Sequence, residues 1–149
     1  MLIGMREAVN SDFDYCRCLY FGEMNWMIHE LHLDVAAQEN GFQQQWNQMQ
    51  VRIITLDGAD VGWVQTIRQE EGLFVAQIIV EHRFQRRGIG TEIMKRLILD
   101  AEQIGLPVLL SVIKINPART LYQRLGFHVT DEDERKFHMK RDINIDRRM

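Results

Sequence analysis

A nearly continuous apolar run, Leu73–Val80, broken only by Gln77, leads through a short polar segment into Ile89, Ile93, Leu97, Ala101 and Ile104. The run suits a strand buried on both faces. The second set recurs at steps of four, four, four and three, which places it on one stripe of an amphipathic helix. Gly105 and Pro107 stop that helix, and Val108–Ile113 reads as a second buried strand. A strand, a turn, a helix and a strand in this order commit the chain to an α/β architecture.

The chain has 149 residues, which fits one domain. Hydrophobic residues make up 46% and charged residues 26%, so the sequence is not that of a disordered chain. Eighteen Lys and Arg against twenty-one Asp and Glu leave a net charge of −3, which argues against a basic nucleic-acid binder. No apolar run approaches the ~20 residues that cross a bilayer, and the N-terminus lacks the pattern of a signal peptide. Cys16 and Cys18 stand two apart in an expected helix, point to different faces and complete no zinc site. The expectation is a cytoplasmic protein without a membrane, nucleic-acid or metal partner. Residues 1–142 are expected to form one domain and 143–149 a C-terminal tail.

Outside the central unit, residues 1–9 read as a first strand. Asn10, Ser11 and Asp12 supply turn and N-cap chemistry before a helix over about Phe13–Phe21. Residues 22–50 predict one or two helices with a mobile connection. Val51–Leu56 and the set Val61, Trp63, Val64 and Ile67 are strands joined by Asp57-Gly58, a strong hairpin dipeptide. Asn116-Pro117 opens a further helix with Ala118, Leu121, Tyr122 and Leu125 on its apolar face, and Gly126 ends it. Phe127–Val129 and Lys136–Lys140 are short strands around the acidic loop Asp131–Glu134.

The chemistry lies in Val80-Glu81-His82-Arg83-Phe84-Gln85-Arg86-Arg87-Gly88-Ile89-Gly90-Thr91. Two glycines let the backbone turn its N–H groups to one side at the start of a helix, where the dipole adds positive charge. Arg83, Arg86 and Arg87 stand beside them, so the segment reads as an anion site suited to a diphosphate, the alternative being a plain strand-to-helix turn with solvated arginines. It is not a dinucleotide fingerprint, because Ile93 stands where the third glycine would be, and it lacks the G-K-[S/T] of a phosphate-binding loop.

Gln85-Arg86-Arg87-Gly88-Ile89-Gly90 resembles the acetyl-CoA signature Q/R-x-x-G-x-G/A of the GNAT superfamily of N-acetyltransferases. Further on, Asn116-Pro117-Ala118-Arg119-Thr120-Leu121-Tyr122-Gln123-Arg124-Leu125-Gly126-Phe127 is similar to that family's second recurring motif. The close resemblance covers about residues 77–127. It implies a mixed, mostly antiparallel sheet of six to seven strands flanked by helices, an α/β/α sandwich. It also implies transfer of an acetyl group from acetyl-CoA to a primary amine of a small molecule or peptide, without a metal, in a family where homodimers are common.

Residue by residue, the resemblance assigns the backbone of Arg86, Arg87, Gly88, Ile89, Gly90 and Thr91 to the CoA diphosphate. The main chain of Ile78, Ile79 and Val80 would pair with the pantetheine arm, with the Val80 N–H polarising the thioester carbonyl. Asn116 would contact the cofactor, cap its own helix, or do both. Tyr122 takes the place of the general acid for the leaving thiolate, with a core tyrosine as the rival reading. The acidic residue that many relatives carry in the fourth strand is replaced by Phe74, and the frequent proline by His82. Glu81, His82, Glu30, His29 and a water relay are the substitutes for the missing base. Residues 22–50 and the C-terminal strands would build the acceptor pocket, with Trp26, Phe42, Trp46, Glu23 and Glu30 receiving a cationic amine, or else serving as core aromatics and solvated acids. The competing reading is a CoA-binding regulatory or interaction module with weak or no catalysis.

Overall fold

The computed structural model describes residues Met1–Ile143, so the expected tail beyond Ile143 lies outside the described residues. The strands are β1 (Ile3–Glu7), β2 (Val51–Leu56), β3 (Ala59–Arg68), β4 (Leu73–Val80), β5 (Val108–Ile113), β6 (His128–Glu132) and β7 (Lys136–Arg141). The helices are α1 (Phe13–Glu30), α2 (Val35–Gln45), α3 (Ile89–Gln103) and α4 (Ala118–Arg124). Short 3-10 turns occupy Asn10–Asp12, Gln48–Gln50 and His82–Phe84. The strands form one sheet in the order β1-β2-β3-β4-β5-β7-β6. The β4–β5 pair is parallel, and β1–β2, β2–β3, β5–β7 and β6–β7 are antiparallel. This is the mostly antiparallel, seven-stranded sheet flanked by helices that the resemblance implied.

The chain divides into two compact units. The first contains Met1–Gln65 and Gln77–Gly90. Its β2–β3 hairpin pairs Leu56 with Ala59 around Asp57-Gly58, whose φ angles of 51° and 87° are those of a primed two-residue turn. Ala8, Cys16, Phe21, Ile28, Phe42, Val51, Ile53, Trp63 and Ile79 make its core. Phe42 packs its ring 5.0 Å from Tyr20, 5.7 Å from Phe21 and 5.9 Å from Trp63. Phe42 is therefore core rather than a receptor for the acceptor. Trp46 packs against the same cluster, and only Trp26 of the three remains exposed.

The helix expected over Phe13–Phe21 continues to Glu30, and Leu31–Asp34 links it to α2. Asp12 does not cap α1 with its side chain. Its carboxylate instead accepts from Arg6 Nη1 at 2.9 Å, Arg6 Nη2 at 3.0 Å and the Val9 amide at 2.8 Å. An available guanidinium is a stronger partner than a helix amide, which explains the change of role.

The second unit contains Thr66–Ala76 and the residues from Thr91 on. Its core uses Ile93, Met94, Leu97, Ile98 and Ala101 of α3. Ile104 departs from the expected stripe and is 53% exposed. The helix ends at Gln103, and Gly105 at φ 75° turns the chain while the Leu106 amide returns to the Ala101 carbonyl at 2.9 Å. Arg141 on β7 donates to Glu102 Oε1 on α3 and to the Leu125 carbonyl beyond α4, each at 2.9 Å. One guanidinium thus ties three elements of this unit.

Candidate active site

In the first unit, the end of β4 is held by its neighbour's backbone. The Glu81 amide donates to the Val61 carbonyl at 2.8 Å. Gly62 lies so close that a Cβ there would sit 2.3 Å from the Ile79 carbonyl oxygen. Only glycine permits that approach. The β4–β5 register runs over Leu73–Val75, short of the Ile78–Val80 segment assigned to pantetheine.

Beyond Val80 the chain makes the 3-10 turn His82–Phe84, closed by Phe84 and Gln85 amides on the Glu81 and His82 carbonyls. The Gln85 side chain donates back to the Val80 carbonyl at 2.9 Å and to Glu23 of α1 at 3.0 Å. Arg86 then takes a left-handed φ of 63° and Gly88 one of 80°. Ile89, 1% exposed, anchors the first turn of α3. The amides that start a helix lack intrahelical partners and carry the positive end of its dipole. Gly90 leaves that end open, since an added Cβ would meet nothing nearer than Val80 Cγ2 at 4.0 Å. The guanidinium carbons of Arg83 and Arg87 stand 4.8 Å and 5.5 Å from the Phe84 ring centre. Among the described residues no carboxylate lies within 4.0 Å of Arg86 or Arg87. An open amide cradle beside uncommitted guanidiniums fits a diphosphate.

Glu81 is partly buried. Its Oε2 is buried with no hydrogen bond among the described residues, and Arg83 Nη2 lies at 3.9 Å. The Tyr15 hydroxyl is likewise buried and has no hydrogen-bond partner among the described residues. Burial, then the charges of Glu81 and Asp60, push the Tyr15 phenol far up. His82 is exposed in its turn. In the segment expected to receive the acceptor, Asn25, Ile28, His29, His32, Leu33 and Val35 line a hollow of about 410 Å³. Glu30 is exposed at the end of α1.

In the second unit, Asn116 Oδ1 accepts from the Ala118 amide at 2.9 Å. The asparagine thus caps α4 and keeps its amide NH2 for other partners. Tyr122 is half-buried on α4, edge-on to Phe127 with centroids 6.0 Å apart. Burial raises its pKa, which favours a phenol that holds its proton. No hydrogen bond to that hydroxyl occurs among the described residues. Phe74, on β4, is half-buried.

Three structural contributors had no role in the sequence reading. Gly62 had a usable signal, a lone glycine inside a strand pattern. Tyr15 had none, because burial of its hydroxyl is a result of packing, and the Gln85–Glu23 contact had none, because the two residues are distant in sequence.

Residues 27–144 match the family model described as an acetyltransferase (GNAT) domain. The chain belongs to the GNAT acetyltransferase family. Its structure is similar to that of PaiA N-acetyltransferase from Thermoplasma acidophilum in complex with coenzyme A. That match has a TM-score of 0.78 and 14% identity, and covers 95% of this chain and 99% of that one. The ribosomal-protein-S18-alanine N-acetyltransferase from Escherichia coli matches at a TM-score of 0.65 and 20% identity, over 95% and 94%. A GNAT family acetyltransferase from Elizabethkingia anophelis with acetyl-CoA bound matches at 0.56 and 17%, over 62% and 74%. No curated protein matches the sequence. No helix among the described residues is long and apolar enough to cross a membrane.

Proposed function

We propose that residues 1–142 work as one acetyl-CoA-dependent N-acetyltransferase domain whose acceptor is a primary amine. The observation that carries this reading is the Arg86–Gly90 loop: two left-handed residues precede an open helix start, beside the Arg86 and Arg87 guanidiniums, which have no acidic partner within 4.0 Å among the described residues. The loop amides and Thr91 hold the CoA diphosphate, and the main chain of Ile78, Ile79 and Val80 pairs with the pantetheine arm. Two solved neighbours, one with coenzyme A and one with acetyl-CoA, support the cofactor assignment.

The chemistry asks for alignment of amine and thioester, polarisation of the carbonyl and two proton movements. The Val80 amide polarises the carbonyl. Tyr122 protonates the leaving thiolate, a role suited to a phenol that burial keeps protonated. Asn116 holds the cofactor through the amide group that its capping bond leaves over. Glu81 and His82 stand at the end of β4 as acid–base groups. Phe74, in the place of the usual acid, favours a second reading, a CoA-binding module without turnover.

Thiol release from acetyl-CoA across a panel of amines separates the two readings. Tyr122→Phe keeps the ring and removes the hydroxyl, so kcat should fall about 10²–10⁴-fold with little change in KM for acetyl-CoA. Wild-type kcat in that variant assigns Tyr122 to packing alone. Tight CoA binding without thiol release for any amine supports the module.

A further inference from the structure

The first unit carries a hollow that neither the cofactor loop nor the groups at the end of β4 line. Asn25, Ile28 and His29 of α1 surround it together with His32 and Leu33 of the following link and Val35 at the start of α2. Its volume, about 410 Å³, falls in the ~300–1,000 Å³ range of small-ligand sites. Ile28, Leu33 and Val35 make an aliphatic wall. Asn25, His29 and His32 add three polar side chains, and none of them has a hydrogen bond or ion pair among the described residues. No Lys, Arg, Asp or Glu among the described residues stands in the wall. Asp34, next to it in sequence, is committed to capping α2 through the Ala36 amide at 3.1 Å.

His32 stands where helix closure asks for no side chain. The His32 amide donates to the His29 carbonyl at 3.1 Å, and the Leu33 amide to the Ile28 carbonyl at 3.0 Å. The second is the six-to-one bond of a left-handed helix stop, and His32, at φ 54°, is its left-handed residue. Glycine takes that conformation without the Cβ penalty. Among the described residues only Asp57 in its hairpin and Arg86 in the loop before α3 also combine a positive φ with a side chain. The imidazole is thus surplus to the turn, and the hollow is what it serves.

Side-chain bonds tie this helix to the end of β4. Gln85 Nε2 donates to the Val80 carbonyl at 2.9 Å and to Glu23 of α1 at 3.0 Å. Asn25 and His29 follow Glu23 on the same helix, roughly 3–9 Å further along its axis at 1.5 Å per residue. An extended peptide covers about 3.3–3.6 Å per residue, so a few residues bridge that distance.

We propose that the hollow receives the residues behind the amino terminus of a peptide acceptor, an uncharged stretch with an aliphatic side chain. This names the substrate class of the acetyltransferase function above and rests on it. A peptide backbone is neutral and alternates N–H donors with C=O acceptors, and a neutral imidazole and a primary amide each offer both in return. Ile28, Leu33 and Val35 take the aliphatic side chain. A polyamine asks the wall for carboxylates, and a free amino acid asks it for a cation to meet its own carboxylate. The wall has neither. In the reaction the terminal nitrogen bonds to the acyl carbon as the carbon–sulfur bond breaks, and the proton that nitrogen loses is balanced by the one the CoA sulfur gains.

The test sets an amidated tetrapeptide of alanine and valine against spermidine and free valine in steady-state acetylation. Peptide binding is followed separately on the His29 and His32 imidazole signals by NMR. The tetrapeptide should give the highest kcat/KM and shift both signals. His32→Gly should raise the peptide KM about 3–10-fold, the scale of one lost hydrogen bond, while kcat falls far less. Its melting temperature should stay level or rise, because glycine suits the left-handed position. Spermidine or free valine as the better acceptor, or a wild-type peptide KM in His32→Gly, overturns the peptide reading and leaves the acetyltransferase intact. A protein that binds CoA and the peptide, with shifted imidazole signals, but acetylates no amine overturns the acetyltransferase reading alone. Neither peptide binding nor turnover overturns both.

Discussion

The first unit contains two arginine sites that treat the same charge differently. Arg6 is enclosed by acids: Asp12 takes both of its terminal nitrogens and Asp60 takes Nε at 3.2 Å and Nη2 at 2.9 Å. Those contacts raise the Arg6 pKa further, so it stays charged throughout. Arg86 and Arg87 stand where the backbone is left-handed or turns into α3, with no acid in reach among the described residues. Arg87 leans on Phe84 instead, and an aromatic face does not neutralise a guanidinium. The first arrangement joins β1, β3 and the turn before α1. The second leaves its charge unpaired by acids among the described residues. The acids around an arginine therefore decide whether its charge is already paired.

The largest effect should come from supplying the open site with its own anion. Gly90→Asp has room for its Cβ, places a carboxylate at the helix start and should weaken CoA binding more than ~100-fold by calorimetry. Gly88 is a poorer choice, because its φ of 80° strains any side chain. Unchanged affinity in Gly90→Asp would end the contrast between the two sites.

An intermediate effect is expected at the closed site. Asp12→Asn removes a largely buried ion-pair partner of Arg6 and should lower stability at pH 7 by about 1–3 kcal/mol in chemical denaturation. Arg6 holds the Asp12 carboxylate below its usual range. A depressed native pKa stabilises above the unfolded carboxylate's pKa, near ~4, and that stabilisation fades as pH falls through the native value. The gap between wild type and variant should therefore narrow in acid. A gap that is independent of pH would remove the ion pair as its cause.

The smallest effect sharpens the contrast most. Arg87→Gln should weaken CoA binding roughly 5–10-fold, the scale of one exposed charge on an anion, and leave the melting temperature unchanged. Arg6→Gln should do the reverse, lowering stability and leaving CoA affinity alone. Equal behaviour of the two variants would refute the division of roles.

Much of the fold was legible along the chain because its signals are short-range. Asp57-Gly58 announced its hairpin, Asn116-Pro117 its helix start and the four-residue steps of Ile89, Ile93, Leu97 and Ala101 their helix. α1 was read short because residues after Phe21 mix polar and aromatic types without a clean stripe, and packing of Met27 and Ile28 extends it. Ile104 continued the period but not the helix, since Gly105 turns the chain before that position can pack. The loop before α3 was visible for the same local reason: its glycines and arginines are consecutive.

The sequence by itself determined where the chain turns, which runs are strands or helices, and that a loop rich in glycine and arginine opens α3. These depend on backbone freedom, capping and periodicity within a few residues. Only the tertiary structure decided which charges are already partnered and which are free. It brought Arg6 to Asp60 across β1–β3, Gly62 against Ile79, and Ser111 opposite His138. Those meetings follow from strand register, and register joins residues tens of positions apart through the packing of whole sheet faces. No single residue in either partner announces that choice.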